Sequence, residues 1–73
     1  MLNISTLTAK EIEILRLISA GYLNKQIAAE LHISEQTAKN YMTKILRKLD
    51  AVNRTEAVVK AAIIGLVPLV PDK

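Results

Sequence analysis

Residues 34–49 read SEQTAKNYMTKILRKL, and this segment carries the strongest structural signal in the chain. Its apolar residues recur at intervals of four, three and four positions, as Ala38, Met42, Ile45 and Leu49. That spacing predicts an α-helix with one buried side, because it follows the 3.6-residue helical period. Ser34 predicts where the helix begins, since its hydroxyl can accept hydrogen bonds from the first free backbone N–H groups.

The other side of this helix is polar and basic. Its residues are Gln36, Lys39, Asn40, Thr43, Lys44, Arg47 and Lys48. Between residues 36 and 48 there are four cations and no carboxylate. Such a face is typical of a helix that lies in the major groove of DNA. The alternative is an ordinary solvated face, since lysine is common on protein surfaces.

Length and composition limit the possible functions. With 73 residues the chain predicts a single domain over 1–73, in which only about 60% of the unfolded surface becomes buried. Cysteine is absent and His32 is the only histidine, so we predict no disulfide, no metal site and no cofactor. There is no membrane-length apolar run and no signal peptide pattern, which predicts a cytoplasmic protein without a membrane partner.

Charge and aromatic content point towards duplex nucleic acid. The net charge of +3 suggests a polyanionic partner. Only Tyr22 and Tyr41 are aromatic, which argues against a stacking surface for single strands. A triad of His32, Ser34 and Asp50 is rejected, because nothing holds the three together and no oxyanion-hole segment accompanies them. We predict that the protein is not an enzyme.

The residues before this stretch predict two shorter helices. Thr8 and Glu11 fit a capping box, and Leu7 and Ile12 a hydrophobic staple, at the start of a helix that runs to about residue 20. Gly21 predicts its end. Next, Asn24 is predicted as the N-cap of a helix over 25–31, followed by a turn at residues 32–33. A short helix, a tight turn and a longer basic helix form a helix-turn-helix arrangement.

A fourth helix is predicted after a connection over 50–53. It runs from Arg54 to about Ile64, and Gly65, Pro68 and Pro71 prevent its continuation. The segment 66–70 is unusually apolar for a terminus.

Four sequence blocks, in order, resemble the LuxR-type (LuxR/FixJ/GerE) DNA-binding domain over a core of about residues 7–67. They are Leu7-Thr8 with Lys10-Glu11, Glu13-Ile14-Leu15 and Leu17; Ala20-Gly21 with Asn24-Lys25-Gln26-Ile27-Ala28; Ile33-Ser34-Glu35 with Thr37-Ala38-Lys39-Asn40, Ile45-Leu46 and Lys48-Leu49; and Asn53-Arg54-Thr55-Glu56-Ala57. The chain differs from the usual family pattern in having Ala38 for Val, Tyr41 for His, and Asp50 near a position that is often Gly.

The resemblance implies an all-α, four-helix helix-turn-helix domain with the third helix as recognition helix. It implies that Lys39, Asn40 and Thr43 contact bases, and these side chains suit that role chemically. Predicted phosphate contacts are Asn24, Lys25, Gln36, Thr37, Tyr41, Lys44 and Lys48. Contact with about six phosphates by two domains predicts a roughly 10³-fold or greater loss of affinity from low to moderate salt. The resemblance also suggests an ion pair between Glu11 and Arg54.

The fourth helix is predicted to be the dimerisation helix. Its interface candidates by resemblance are Thr55, Val58, Val59 and Ala62, although Val58 and Ala62 could equally pack inward. The implied function is transcription regulation, as in response-regulator output domains, by a homodimer on double-stranded DNA that is monomeric when isolated. In this family a receiver or ligand-sensing domain usually precedes such a module. The alternative function is a helical protein-interaction module, which would dock a partner or an RNA polymerase subunit.

Overall fold

The computed structural model describes residues 7–67, which form four α-helices. They are α1 (Ala9–Ser19), α2 (Asn24–Leu31), α3 (Glu35–Lys48) and α4 (Arg54–Ile63). There is no β-strand in this part of the chain, and the predicted all-α, four-helix fold is confirmed. The predicted helix stops Pro68 and Pro71, and residues 68–70 of the apolar segment, lie outside the described residues.

The predicted ends of α1 are confirmed. Thr8 Oγ1 accepts a hydrogen bond from Glu11 N–H (3.1 Å), and Glu11 Oε1 accepts one from Thr8 N–H (2.8 Å). These two bonds are the capping box. Gly21 follows the helix with φ +97°, a left-handed conformation that glycine adopts at little cost.

The start of α3 is also as predicted. Ser34 is the N-cap, and its Oγ accepts a hydrogen bond from Thr37 N–H at 3.0 Å. The predicted apolar stripe is buried, with Ala38, Met42, Ile45 and Leu49 between 0% and 9% exposed. Because one side of α3 is held in the core, its opposite side faces solvent.

The predicted N-cap of α2 is wrong. The N-cap is Leu23, and Asn24 is the first helical residue. Leucine has no acceptor for the first helical N–H groups, so α2 lacks a side-chain cap. Gln26 instead accepts a hydrogen bond from Leu23 N–H (2.8 Å), which satisfies the donor just before the helix.

The connection between α3 and α4 turns at Asp50. This residue has φ +53°, and its left-handed backbone gives a physical reason for glycine near this position in the family. Asn53 then caps α4 by accepting a hydrogen bond from Glu56 N–H (2.8 Å). The helix ends at Ile63, one residue before the predicted end, and Gly65 follows with φ +82°.

The core lies between all four helices. Helix α3 packs mainly against α2, and α4 packs against α1 and α3. The buried apolar residues are Ile14, Leu15, Ile18, Ile27, Ala28, Ala38, Met42, Ile45, Leu49, Ala57, Ala61 and Val67. None of the four helices has the length and apolarity that crossing a lipid bilayer requires.

Candidate nucleic-acid interface

The three predicted base-contacting residues lie together on the solvent side of α3. Lys39, Asn40 and Thr43 are all exposed, as is Arg47 one turn further along. They occupy neighbouring positions, because residues three and four apart share one face of a helix. The structure therefore brings these candidates onto one surface, which the core leaves uncovered.

Local hydrogen bonds restrict two of these side chains. Gln36 Nε2 donates to Asn40 Oδ1 at 3.1 Å, which joins two exposed amides one helical turn apart. Thr43 Oγ1 donates to the Lys39 carbonyl at 3.1 Å. Because the Thr43 hydroxyl hydrogen is used within the helix, Thr43 offers its methyl group and an oxygen lone pair to a ligand.

Three predicted phosphate contacts line a shallow groove beside this face. The groove has a volume of about 190 Å³ and is lined by Thr37, Asn40, Tyr41 and Lys44. Thr37 and Tyr41 are half-buried, whereas Lys44 is exposed. Hydroxyl, amide and ammonium groups are all hydrogen-bond donors, and no carboxylate is among them. This chemistry suits an anion such as a phosphate oxygen.

The predicted ion pair between Glu11 and Arg54 is wrong. Glu11 is 2% exposed and pairs with Lys48, whose Nζ lies 2.8 Å from Oε1 and 3.0 Å from Oε2. Arg54 instead donates to the backbone carbonyl of Tyr22. The Glu11–Lys48 pair joins the start of α1 to the end of α3. Within residues 7–67, Lys48 is the one cation of α3 whose side chain is held by an ion pair.

The environment of Glu11 favours its ionised form. Burial alone raises the pKa of this carboxyl, but the hydrogen bonds from Lys48 and the Thr8 N–H, with the charge of Lys48, outweigh that effect. The pKa of Glu11 is therefore lowered. The carboxylate stays charged at neutral pH and holds the last turn of α3 through Lys48.

Two further cations fix the connections between helices. Arg54 bonds the Tyr22 carbonyl between α1 and α2, and Lys60 donates to the Asp50 carbonyl between α3 and α4. Lys60 also lies 3.4 Å from Glu56, whose Oε1 accepts a hydrogen bond from Val52 N–H. Sequence spacing did not predict these contacts, because a long side chain can reach many carbonyls and only the fold selects one.

The start of α2 places Lys25 in solvent. Lys25 and Gln26 are exposed, and Asn24 is half-buried with an Oδ1 atom that has no hydrogen-bond partner in the described structure. Because Leu23 cannot cap the helix, the positive end of α2 is left without a side-chain acceptor. An anion next to Lys25 would meet both the ammonium group and this helix terminus.

The predicted dimer residues divide into two groups. Thr55 and Val59 are exposed, while Val58 and Ala62 are half-buried and pack against the core. Thr55, Val58 and Val59 line a groove of about 250 Å³ together with Ile18 and Arg54. Ile63, which was not among the predicted residues, is 74% exposed. Ile63 lies one helical turn after Val59, and this spacing is the sequence signal that could have identified it as an interface candidate.

Comparison with known families agrees with this architecture. Residues 5–61 match the family described as bacterial regulatory proteins, luxR family. The transcriptional regulatory protein DegU of Brevibacillus brevis is 46% identical over 55 residues, and the response regulator VraR of Staphylococcus aureus 47% over 55. The HTH-type transcriptional regulator AlkS of Ectopseudomonas oleovorans is 44% identical over 61 residues. The matched regions cover 75%, 75% and 84% of this chain but only 23%, 26% and 7% of those regulators, respectively.

Solved structures give the same result. The response regulator ChrA of a haem-sensing two-component system superposes with a TM-score of 0.81 at 44% identity, over 84% of this chain and 30% of that one. The transcription factor GerE superposes with a TM-score of 0.80 at 33% identity, over 86% of this chain and 94% of that one. A ligand–DNA complex of VqmA from Vibrio cholera superposes with a TM-score of 0.80 at 30% identity, over 97% of this chain and 30% of that one.

Proposed function

Because this chain belongs to the luxR family of bacterial regulatory proteins, we propose that it binds double-stranded DNA sequence-specifically through α3. Helix α3 enters the major groove with its solvent face towards the bases. The observation that carries the proposal is the composition of that face. Lys39, Asn40, Thr43, Lys44 and Arg47 are all exposed, with no carboxylate between residues 36 and 48.

The side chains divide into base readers and phosphate contacts. Lys39 can donate to guanine O6 and N7, Asn40 can pair with adenine, and Thr43 can place its methyl group against thymine. Thr37, Tyr41 and Lys44 bind a phosphate in the groove that they line. Lys25 binds another at the uncapped start of α2.

Two copies bind together on DNA through α4. Thr55 and Val59 are exposed beside the apolar groove, and Val59 is 52% exposed. A two-fold axis through this surface would place two α3 helices on half-sites about one helical turn apart. Helix α4 exposes two large apolar side chains, Val59 and Ile63, which is little surface for a stable dimer, so the domain is monomeric in isolation and pairs when DNA brings two copies together.

Fluorescence titration of a specific and a mixed-sequence duplex tests the proposal. Lys39→Ala should weaken binding to the specific duplex most, while Lys44→Ala should weaken binding to both equally. Arg16→Ala, which removes an exposed cation from α1 instead, is the matched control. Equal losses on both duplexes for Lys39→Ala would contradict its base-reading role.

The pairing of two copies is tested separately. Val59→Glu places a charge on the proposed interface and should abolish cooperative binding to a two-half-site duplex, with single half-site binding retained. Titration of the unsubstituted domain at low salt addresses the alternative function. If the domain binds no duplex DNA even at low salt, the exposed apolar residues Val59 and Ile63 favour a protein-interaction module, with RNA polymerase as one candidate partner.

A further inference from the structure

We infer that Gln36 is a positioning residue for base recognition, which rests on the proposed function of α3. Gln36 was predicted to contact phosphate, but its Nε2 group donates to Asn40 Oδ1 at 3.1 Å. Both residues are exposed and lie four positions apart, so they share one face of the helix. In this arrangement the Oδ1 end of the Asn40 amide points towards Gln36 and the start of α3.

The orientation of that amide determines which base it can read. Asparagine pairs with adenine by donating from Nδ2 to N7 while Oδ1 accepts from the N6 amino group. A half-turn of the amide exchanges donor and acceptor and removes both bonds. Gln36 occupies one lone pair of Oδ1, leaving the second lone pair for the adenine amino group.

Nothing else in residues 7–67 holds the Nδ2 end of Asn40. Its two hydrogens are therefore available to a ligand, while its oxygen is held from the Gln36 side. Fixing a side chain before binding reduces the entropy lost in the complex. Gln36 thus makes Asn40 selective for adenine without contacting the base itself.

A double-mutant cycle on DNA binding tests this inference. Binding is measured for the wild type, Gln36→Met, Asn40→Ala and the double variant on duplexes that differ at each base pair. Asn40→Ala should abolish the preference for adenine at one position. Gln36→Met should reduce that same preference about two- to tenfold, leave affinity for mixed-sequence DNA unchanged, and have no effect once Asn40 is alanine.

A reversal variant adds a second prediction. The carboxylate of Gln36→Glu can only accept hydrogen bonds, so it should hold Asn40 through Nδ2 and turn the amide around. The preference at that position should move away from adenine. The added negative charge weakens binding to every duplex alike, and the loss on mixed-sequence DNA measures that separate effect.

The side-chain amide signals of Asn40 give a readout without DNA. They should shift in the NMR spectrum of Gln36→Met and stay in place in Gln26→Met, a matched control whose amide bonds Leu23 instead. Equal thermal unfolding of Gln36→Met and the wild type would show that the fold is unchanged.

Three results would overturn the positioning role: unmoved Asn40 signals, an unchanged adenine preference in Gln36→Met, or a uniform loss of affinity that persists in Asn40→Ala. The uniform loss would assign Gln36 to a phosphate. By contrast, a wild type without any sequence preference would overturn the proposed function itself.

Discussion

Replacement of Lys48 by methionine should destabilise the fold through Glu11. The substitution keeps the apolar part of the side chain and removes the cation that lies 2.8 Å and 3.0 Å from the two carboxylate oxygens. Glu11 is 2% exposed and cannot turn towards water without leaving the core. The variant therefore keeps a buried carboxylate whose remaining described partner is the Thr8 N–H group.

The size of the effect follows from burial and the remaining contact. Removing one partner of a fully buried ion pair costs about 3–5 kcal/mol. The side chain of Lys48 is 25% exposed, so its loss lets water approach the carboxylate, and the Thr8 hydrogen bond persists. We therefore expect a loss of about 2 kcal/mol at pH 7, or about 8–16 °C in melting temperature.

The loss should depend on pH. In the wild type the lowered pKa of Glu11 contributes stability that is present above about pH 4.3 and is lost as the pH falls through the lowered pKa. Without Lys48 the effect of burial is opposed mainly by Thr8, so the pKa of Glu11 rises relative to the wild type. As the pH falls, Glu11 is protonated first in the variant, which removes the unpaired buried charge. The difference in unfolding free energy between the two proteins therefore shrinks towards pH 4.

Urea unfolding of both proteins at pH 7 and pH 4 measures these differences. Lys10→Met is the matched control. Lys10 pairs with Glu13 at 3.5 Å on the surface, so its replacement should lower the free energy of unfolding by less than about 1 kcal/mol. The double variant Glu11→Gln with Lys48→Met removes the buried charge and should recover part of the loss. The reasoning is refuted if Lys48→Met costs no more than Lys10→Met, or costs the same at both pH values.

Three other predictions rest on local structure. Ser34→Ala should lose about 1 kcal/mol in urea unfolding because it removes a true N-cap, whereas Asn24→Ala should lose less than about 0.5 kcal/mol because Asn24 is not one. Gly21→Ala should lose about 1 kcal/mol of unfolding free energy because alanine is strained at a φ of +97°. Steric contact does not contribute, since no atom lies within 4 Å of the added Cβ, and an unchanged urea midpoint would argue against strain. In a DNA titration at a temperature where both variants are folded, Lys48→Met should lose less affinity than Lys44→Met, because Lys48 already bonds Glu11.

Helical periodicity and capping residues predicted most of the fold. The stripe of Ala38, Met42, Ile45 and Leu49 identified the buried side of α3, and Thr8 with Glu11 identified the start of α1. These signals work because they depend on neighbours within one turn of a helix. They need no knowledge of how the helices pack.

Contacts between helices were predicted less well. Lys48 and Arg54 are both long cations that could reach Glu11, and only the packing of α3 against α1 decides that Lys48 does. The Asn24 error has a different cause. Asparagine is a favourable N-cap, but the chain enters α2 one residue earlier, and Leu23 takes the extended cap conformation.

The contact between Lys48 and Glu11 also changes the expected salt dependence of DNA binding. Each neutralised phosphate contributes about 0.9 to the slope of log affinity against log salt. If Lys25 and Lys44 are the phosphate-binding cations of each domain, two domains give a slope of about −3.6. A rise from 50 to 200 mM salt then lowers affinity about 10²-fold, less than the roughly 10³-fold expected for six phosphates.

A measured slope near −5.4 would require a further cation in each domain, Lys39 or Arg47, to neutralise a phosphate. Lys39→Ala and Arg47→Ala on a two-half-site duplex distinguish these cases, since one of them should reduce the slope by about 1.8 in the second case and neither should in the first. Lys44→Ala is the reference variant, because it should reduce the slope by about 1.8 in both.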